Sequence, residues 1–349
     1  MNRILFIDYK LEEGHVNFNR IHINALKDDG YAVSIVLHRD IADQLPFNES
    51  EYALILPRLF NKRPGHPILN RIIFILTLLY IKLHIHFQEY EAVIVSSCEE
   101  ISLGLMPLCR NMYIICHGNA NTLGNRVKRF FMNRLARHNY FLTLNEYMAA
   151  PLRQAGYPST YVISHGCLPT PGTLHNVPPV VDLSPYALTL FHPSSKTDPA
   201  FLNEILADPG FISFIEQQNI LIIMRSAAPK GVPASSHIVF IPYYLSNQQY
   251  QSLLSQVDIV LIAYPADFKY QVSGISYECI TYGKRLLAYQ KPALSYCKDF
   301  YNYDPLFAHK EQLCERLTYL MHHAEAKCIV TPQDLHPDYT AVFSKTQKK

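Results

Sequence analysis

Residues 258–290 read DIVLIAYPADFKYQVSGISYECITYGKRLLAYQ. An apolar run from Asp258 to Tyr264 gives way to a polar turn, Ser273 and Gly274 open a short helical stretch, and Gly283 closes it. A second apolar run then begins at Arg285. Two short apolar runs joined through a helix make a βαβ unit, which predicts parallel strands covered on both faces. The chain has only 13 glycines in 349 residues, so two of them around the lone acid Glu278 need a reason. Gly283 suits the left-handed turn that ends a helix. At Gly274 no Cβ obstructs a ligand, and the helix's first N–H groups and its dipole favour an anion such as a diphosphate. Glu278, about one turn further on, offers two acceptor oxygens to neighbouring sugar hydroxyls. An ordinary capped helix accounts for the same residues without a ligand.

The same alternation runs outward in both directions. Towards the N-terminus, RILFID, YAVSIVLH, YEAVIVSS, MYIICHG, NYFLTLN and TYVISHG read as strands, with helical segments such as FNRIHINALKDDG between them. A proline-dense stretch, LPTPGTLHNVPPVVDLSP (168–185), reads as a linker. Beyond it YALTLFHP, NILIIM, HIVFIPY, DIVLIAY and RLLAYQ restart the strand pattern, with helices DPAFLNEILADPG and SNQQYQSLLSQ among them. Two α/β domains are therefore expected, 1–180 and 181–349, the second ending in a polar, mobile tail. Asp8, His117, Asn145, His165, His192, Arg225 and Tyr243 fall at strand ends, where ligands of open parallel sheets bind.

Composition sets the class. Hydrophobic residues make up 49% and charged residues 17%, values of a globular chain with a large core. A net charge of +2 gives no basic face of the kind nucleic-acid binders carry, so no nucleic-acid partner is expected. The eight cysteines form no CxxC pair, and several sit in apolar runs, which predicts buried reduced thiols. The first strand begins almost at residue 1 and leaves no room for a leader, so a cytoplasmic location is expected. No DxD, HExxH, P-loop or GxSxG occurs, and no GxGxxG follows the first strand. No metal site and no cofactor are expected.

Segment SGISYECITYGKRLLAY resembles the second half of the donor-site motif of GT-B glycosyltransferases, above all the retaining glycosyltransferase family 4 group. EEGHVN is similar to that family's acceptor loop, YIICHG to its strand ending in His, and YVISHGCLP to its interdomain strand. LFHPSSKTDPAFL resembles the segment that opens the second domain. The resemblance runs from residue 1 to about 325. It implies an α/β GT-B fold, two Rossmann-like domains facing each other across a cleft, and metal-independent, retaining transfer from a nucleotide-sugar. The acceptor implied is a glycan or lipid-linked glycan, in surface polysaccharide assembly. A nucleotide-sugar-binding protein without catalysis and a GT-B-fold epimerase are the alternatives.

Carried over residue by residue, the resemblance makes His117 the catalytic-site histidine that bonds a hydroxyl of the donor sugar. His15 falls on the acceptor side. Lys196 takes a phosphate-binding place, Tyr243 and Tyr244 follow the strand where the base is held, and Ser273, Gly274 and Glu278 receive the donor. Two departures stand out. Tyr270 occupies the place of the family's first glutamate, and no arginine accompanies Lys196, so Arg225 or Lys269 must supply the second cation.

Two segments bear on membranes. The apolar core of ILNRIIFILTLLYIKLHIHF (68–87) has ten residues between Arg71 and Lys82, while a span needs about 20. A buried or an interfacial helix fits. NRVKRFFMNRLARHNYF (125–141) mixes five basic residues with Phe130, Phe131, Met132 and Leu135. It reads either as a packing helix with a solvated basic face or as one lying on an anionic bilayer, peripheral on the inner face of the cell membrane.

Overall fold

The computed structural model describes residues 2–347 except 12–13, 63, 169–176, 178, 230–231 and 234. Half of the expected linker at 168–185 thus lies outside the described residues, as do both acids of the EEGHVN segment. The chain divides into two compact units: Met1–Gly166, Tyr270–Val272 and His336–Lys349 form the first, Cys167–Lys269 and Ser273–Leu335 the second. The change-over falls at Gly166/Cys167, not near 180.

In the first unit, β1 (Arg3–Ile7), α1 (His15–Asp28), β2 (Ala32–His38), α2 (Arg39–Ala42) and β3 (Tyr52–Leu56) are followed by α3 (Pro67–His84), β4 (Ala92–Val95) and α4 (Glu100–Leu105). Then come β5 (Tyr113–Cys116), α5 (Arg126–Ala136), β6 (Tyr140–Thr143), α6 (Glu146–Gln154) and β7 (Thr160–Val162). Every strand pair is parallel, in the order β3-β2-β1-β4-β5-β6-β7. Alternation along β1 sends Leu5 and Ile7 into one core and Ile4 and Phe6 into the other, so both faces are covered, as parallel sheets require. Phe74, Leu78 and Ile81 of α3, Leu103 of α4, and Met132 and Leu135 of α5 fill the first core. Phe18, Ile23 and Leu26 of α1 fill the second.

The second unit holds β8 (Leu188–His192), a π-helical turn (Phe201–Leu206), α7 (Pro209–Gln217), β9 (Ile220–Met224), β10 (Ile238–Phe240), α8 (Asn247–Gln256) and β11 (Ile259–Ile262). After these come α9 (Gly274–Thr281), β12 (Arg285–Tyr289), β13 (Leu306–Phe307) and α10 (Lys310–His322). Its sheet is also all parallel, ordered β10-β9-β8-β11-β12-β13. Both sheets therefore have the Rossmann order, which reverses between β1 and β4 in one unit and between β8 and β11 in the other.

Three expectations are corrected. The chain end is no mobile tail of the second domain. It forms α11 (Tyr339–Gln347), whose Tyr339, Val342 and Phe343 are buried in the first unit's second core, because their spacing sets three apolar side chains on one helix face. The helix expected over 198–210 is broken in two: its first part runs into a π-helical turn at Phe201–Leu206, and a new helix starts at Pro209 under the Asp208 cap. His15 is not in a loop: α1 begins at it, three residues before the expected start. All eight cysteines are free thiols.

Candidate functional site

In the first unit the order-reversal point holds a buried polar centre. Asp8 follows β1, and Ser96 and Ser97 follow the adjacent β4. The fully buried Asp8 carboxylate accepts from Ser97 Oγ at 2.6 Å, Asn19 Nδ2 at 2.9 Å and His15 Nδ1 at 3.1 Å. Burial alone would push its carboxyl up. The neighbouring His15 ring and the bonds from His15, Asn19 and Ser97 outweigh that and hold it at about 2. The carboxylate is therefore ionised at neutral pH and accepts only, which places a His15 proton on Nδ1.

His15 stacks on His117 with ring centroids 4.5 Å apart. His117 Nε2 donates to the Ser96 carbonyl at 2.8 Å. Burial, then the His15 ring, bring its pKa down to about 3, so His117 is neutral and its Nδ1 is an acceptor. Phe18 lies edge-on to His117 and to His165. His165, with Nδ1 donating to the Gly166 carbonyl, is held at about 4 by burial. Gly166 is required here: its φ is +74°, and a Cβ would lie 2.4 Å from Ile21.

A cavity of about 190 Å³ opens onto His15 and His117 and is also lined by Lys10, Glu100 and Lys128. It is smaller than the pockets that enclose drug-sized ligands. Glu100 is ion-paired with Lys128 at 3.1 Å and accepts from Asn119 and Thr122. Burial raises its carboxyl, but Thr122, Lys128 and Asn119 leave the net shift downward. Tyr270, counted on the donor side by resemblance, instead packs in the first unit. It stacks on Tyr147 at 5.3 Å, and its N–H donates to Asn121 Oδ1.

In the second unit α9 starts as expected. Ser273 caps it, its Oγ accepting from Ser276 N at 3.3 Å and sharing a bond with Tyr264 OH. Space is open where a Gly274 Cβ would be. Glu278 lies on the first turns, half-buried, and accepts from Tyr250 OH at its Oε2. Burial raises its carboxyl, against the opposing pull of Tyr250 and Arg225. One carboxylate oxygen is thus already engaged by the protein. Arg225, after β9, lies over the Tyr244 ring at 5.3 Å, so Arg225, Glu278 and Tyr244 share one neighbourhood. Tyr243 is 57% exposed, and Lys196 is exposed on the loop after β8; no bond joins either to Glu278. His192 is a structural pin: it bonds the Leu261 carbonyl and Thr197 and is held near 4 by burial.

Sequence reasoning placed Asp8 at a strand end but not at the site, and it did not find Asn19, Ser97 or Tyr250. The signal available was the seven-residue step from Asp8 to His15. Among the described residues no group of three or more His, Cys, Asp or Glu side chains is placed to hold a metal ion.

No protein-family model matches the sequence, and no curated protein matches it. Solved structures do match. Anabaena HepE in complex with UDP and glucose superposes with a TM-score of 0.61 at 12% identity, covering 100% of this chain and 99% of that one. A UDP-N-acetylglucosamine 2-epimerase gives 0.57 at 10% identity, over 93% and 88%. Arabidopsis thaliana UGT89C1 gives 0.53 at 12%, over 92% and 90%. What is shared at such identities is the fold. The class it defines is GT-B, two Rossmann-like units in one chain.

Proposed function

We propose that this chain is a glycosyltransferase that moves a sugar from a nucleotide-sugar to a hydroxyl of a glycan or lipid-linked glycan, in surface polysaccharide assembly. The observation that carries the reading is the Asp8–His15 pair. Its ionised, buried carboxylate orients a histidine that lines the cavity, the pairing that general-base catalysis uses. His15 takes the acceptor hydroxyl's proton as that oxygen attacks the anomeric carbon, and Asp8 stabilises the imidazolium that forms. His117, neutral and anchored by Ser96, accepts a hydrogen bond from a sugar hydroxyl. In the second unit the start of α9 receives the diphosphate, Arg225 offsets the charge that grows on it, and Glu278 binds the ribose. The resemblance of 273–289 to the family 4 donor motif supports the same assignment. Attack assisted by a base in one step inverts the anomeric centre, so the pair favours inversion over the retention that the resemblance implies.

A second reading, a nucleotide-sugar epimerase, is favoured by one observation. The cavity offers two proton-transfer groups, His15 and Glu100, as inversion at a sugar carbon needs. Incubation with a panel of nucleotide-sugars, followed by mass spectrometry and NMR, separates the readings. Nucleoside diphosphate released only when acceptor is present supports transfer, and the anomeric coupling of the product gives its stereochemistry. An epimerised nucleotide-sugar formed without acceptor supports the second reading. Tight binding with neither product would leave a binding protein.

A further inference from the structure

The helix α3 is apolar on two opposite sides. Phe74, Thr77, Leu78 and Ile81 are buried, Phe74, Leu78 and Ile81 of them in the core against the sheet. On the other side Ile68, Ile72, Leu76, Leu79 and Leu83 follow at steps of four, four, three and four, one continuous stripe. These five are 38–72% exposed. A helix that covers a soluble protein carries polar residues on that side. A membrane span is not the explanation, because the buried side is held in the sheet's own core.

The neighbouring helices extend this surface. α4 packs against both α3 and α5, and all three contribute to the same core, so their outer sides lie on one layer. On α5, Val127 and Phe130 are 57% and 62% exposed among Arg126, Arg134 and the C-cap residue Arg137, which are exposed too. Neither α3 nor α5 contains an acidic residue. The nearby acids Glu99 and Glu100 are occupied by Arg71 and Lys128. The layer therefore shows an apolar stripe beside a cationic one.

We propose that the outer face of α3 and α5 docks on an anionic lipid bilayer. The α3 stripe and Phe130 enter the interfacial zone, and the α5 arginines meet lipid phosphates. Charge complementarity selects this occupant. A second copy of the chain would set the same arginines against each other, whereas an anionic surface pairs with all of them. The proposal is independent of the reaction and holds for a transferase, an epimerase or a binding protein.

Vesicle flotation of the full chain tests it, with phosphatidylcholine alone or mixed with phosphatidylglycerol, at low and high salt. The expected result is flotation with the anionic vesicles and release at high salt. Reversing Arg126, Arg134 and Arg137 to Glu should lower the partition constant at least tenfold, since each arginine near such a surface contributes roughly fivefold. Ile72→Glu with Leu76→Glu should do the same. Should that pair fail to fold, Leu83→Gln, at a side chain 72% exposed, tests the stripe alone. Absence of flotation with either lipid, or variants that float like the wild type, would overturn the proposal. So would a dimer in sedimentation velocity that Ile72→Glu dissociates without any vesicle binding, because the face would then be a protein interface.

Discussion

The Asp8 carboxylate and the His15 ring meet at 3.1 Å, with Asp8 wholly buried and His15 at the first position of α1. The acid fixes the tautomer and supports the charged ring, so the two act as one unit. Asp8→Asn and His15→Ala should each lower turnover by roughly two to four orders of magnitude, with nucleotide affinity nearly unchanged. Because the partners are coupled, the double variant should be little worse than either single one. Steady-state kinetics and calorimetry on the three variants check this. Additive losses would mean that Asp8 serves the fold and not the base.

Glu278 gives a prediction about binding in place of turnover. Its side chain keeps one oxygen on Tyr250 and is assigned to the ribose with the other. A hydrogen bond to a charged group contributes roughly 1.5–3 kcal/mol. Glu278→Gln should therefore weaken nucleotide binding at least tenfold by calorimetry, with little change in melting temperature, since an amide oxygen can still accept from Tyr250. Unchanged affinity would remove Glu278 from the donor site.

How far the sequence carried the reading differs from element to element. The long runs rich in β-branched residues, RILFID or DIVLIAY, gave their strands away because a parallel sheet buries both sides of them. Tyr52–Leu56 did not, being an edge strand with mixed burial, and Leu306–Phe307 is two residues long. The α11 helix was lost in a polar tail, although Tyr339, Val342 and Phe343 have helical spacing. Ser273, Gly274 and Gly283 were legible because capping is local chemistry. The Asp8 centre was not: Ser97 arrives from 89 residues away, through strand neighbours that no local pattern reveals.

Tyr270 stands where the family pattern has a glutamate, and its ring stacks on Tyr147. Its backbone N–H, not its phenol, makes the bond to Asn121. Phenylalanine keeps both contacts, so Tyr270→Phe should retain transfer within a few-fold of wild type. His117→Ala removes the sugar's acceptor and the ring stacked on His15, and should cost turnover at least tenfold more than Tyr270→Phe. Single-turnover rates for the two variants decide the matter. A dead Tyr270→Phe beside an active His117→Ala would reverse these roles.

Acid should destabilise this protein well above the range where carboxylates titrate. His165 is held near 4 and His117 near 3 in the fold, mainly by burial, against an ordinary value of 6.5. Between those values and 6.5 the unfolded chain binds protons that the folded chain refuses, so stability rises with pH across that window and is lost as the pH falls through it. The buried His192, near 4, adds to the slope from the second unit. Asp8 works in the same direction at lower pH: its depressed pKa stabilises the fold above 3.8, and this is lost as the pH falls towards 2. Each pKa unit corresponds to about 1.4 kcal/mol, so the three histidines together should remove several kcal/mol between neutrality and pH 4. Urea unfolding at a series of pH values measures this. His165→Asn, which has no proton to gain, should flatten the curve between 6.5 and 4 while leaving the Asp8 region unchanged. A wild-type stability that is level from pH 7 to 4.5 would show that these rings are far better hydrated than their packing implies.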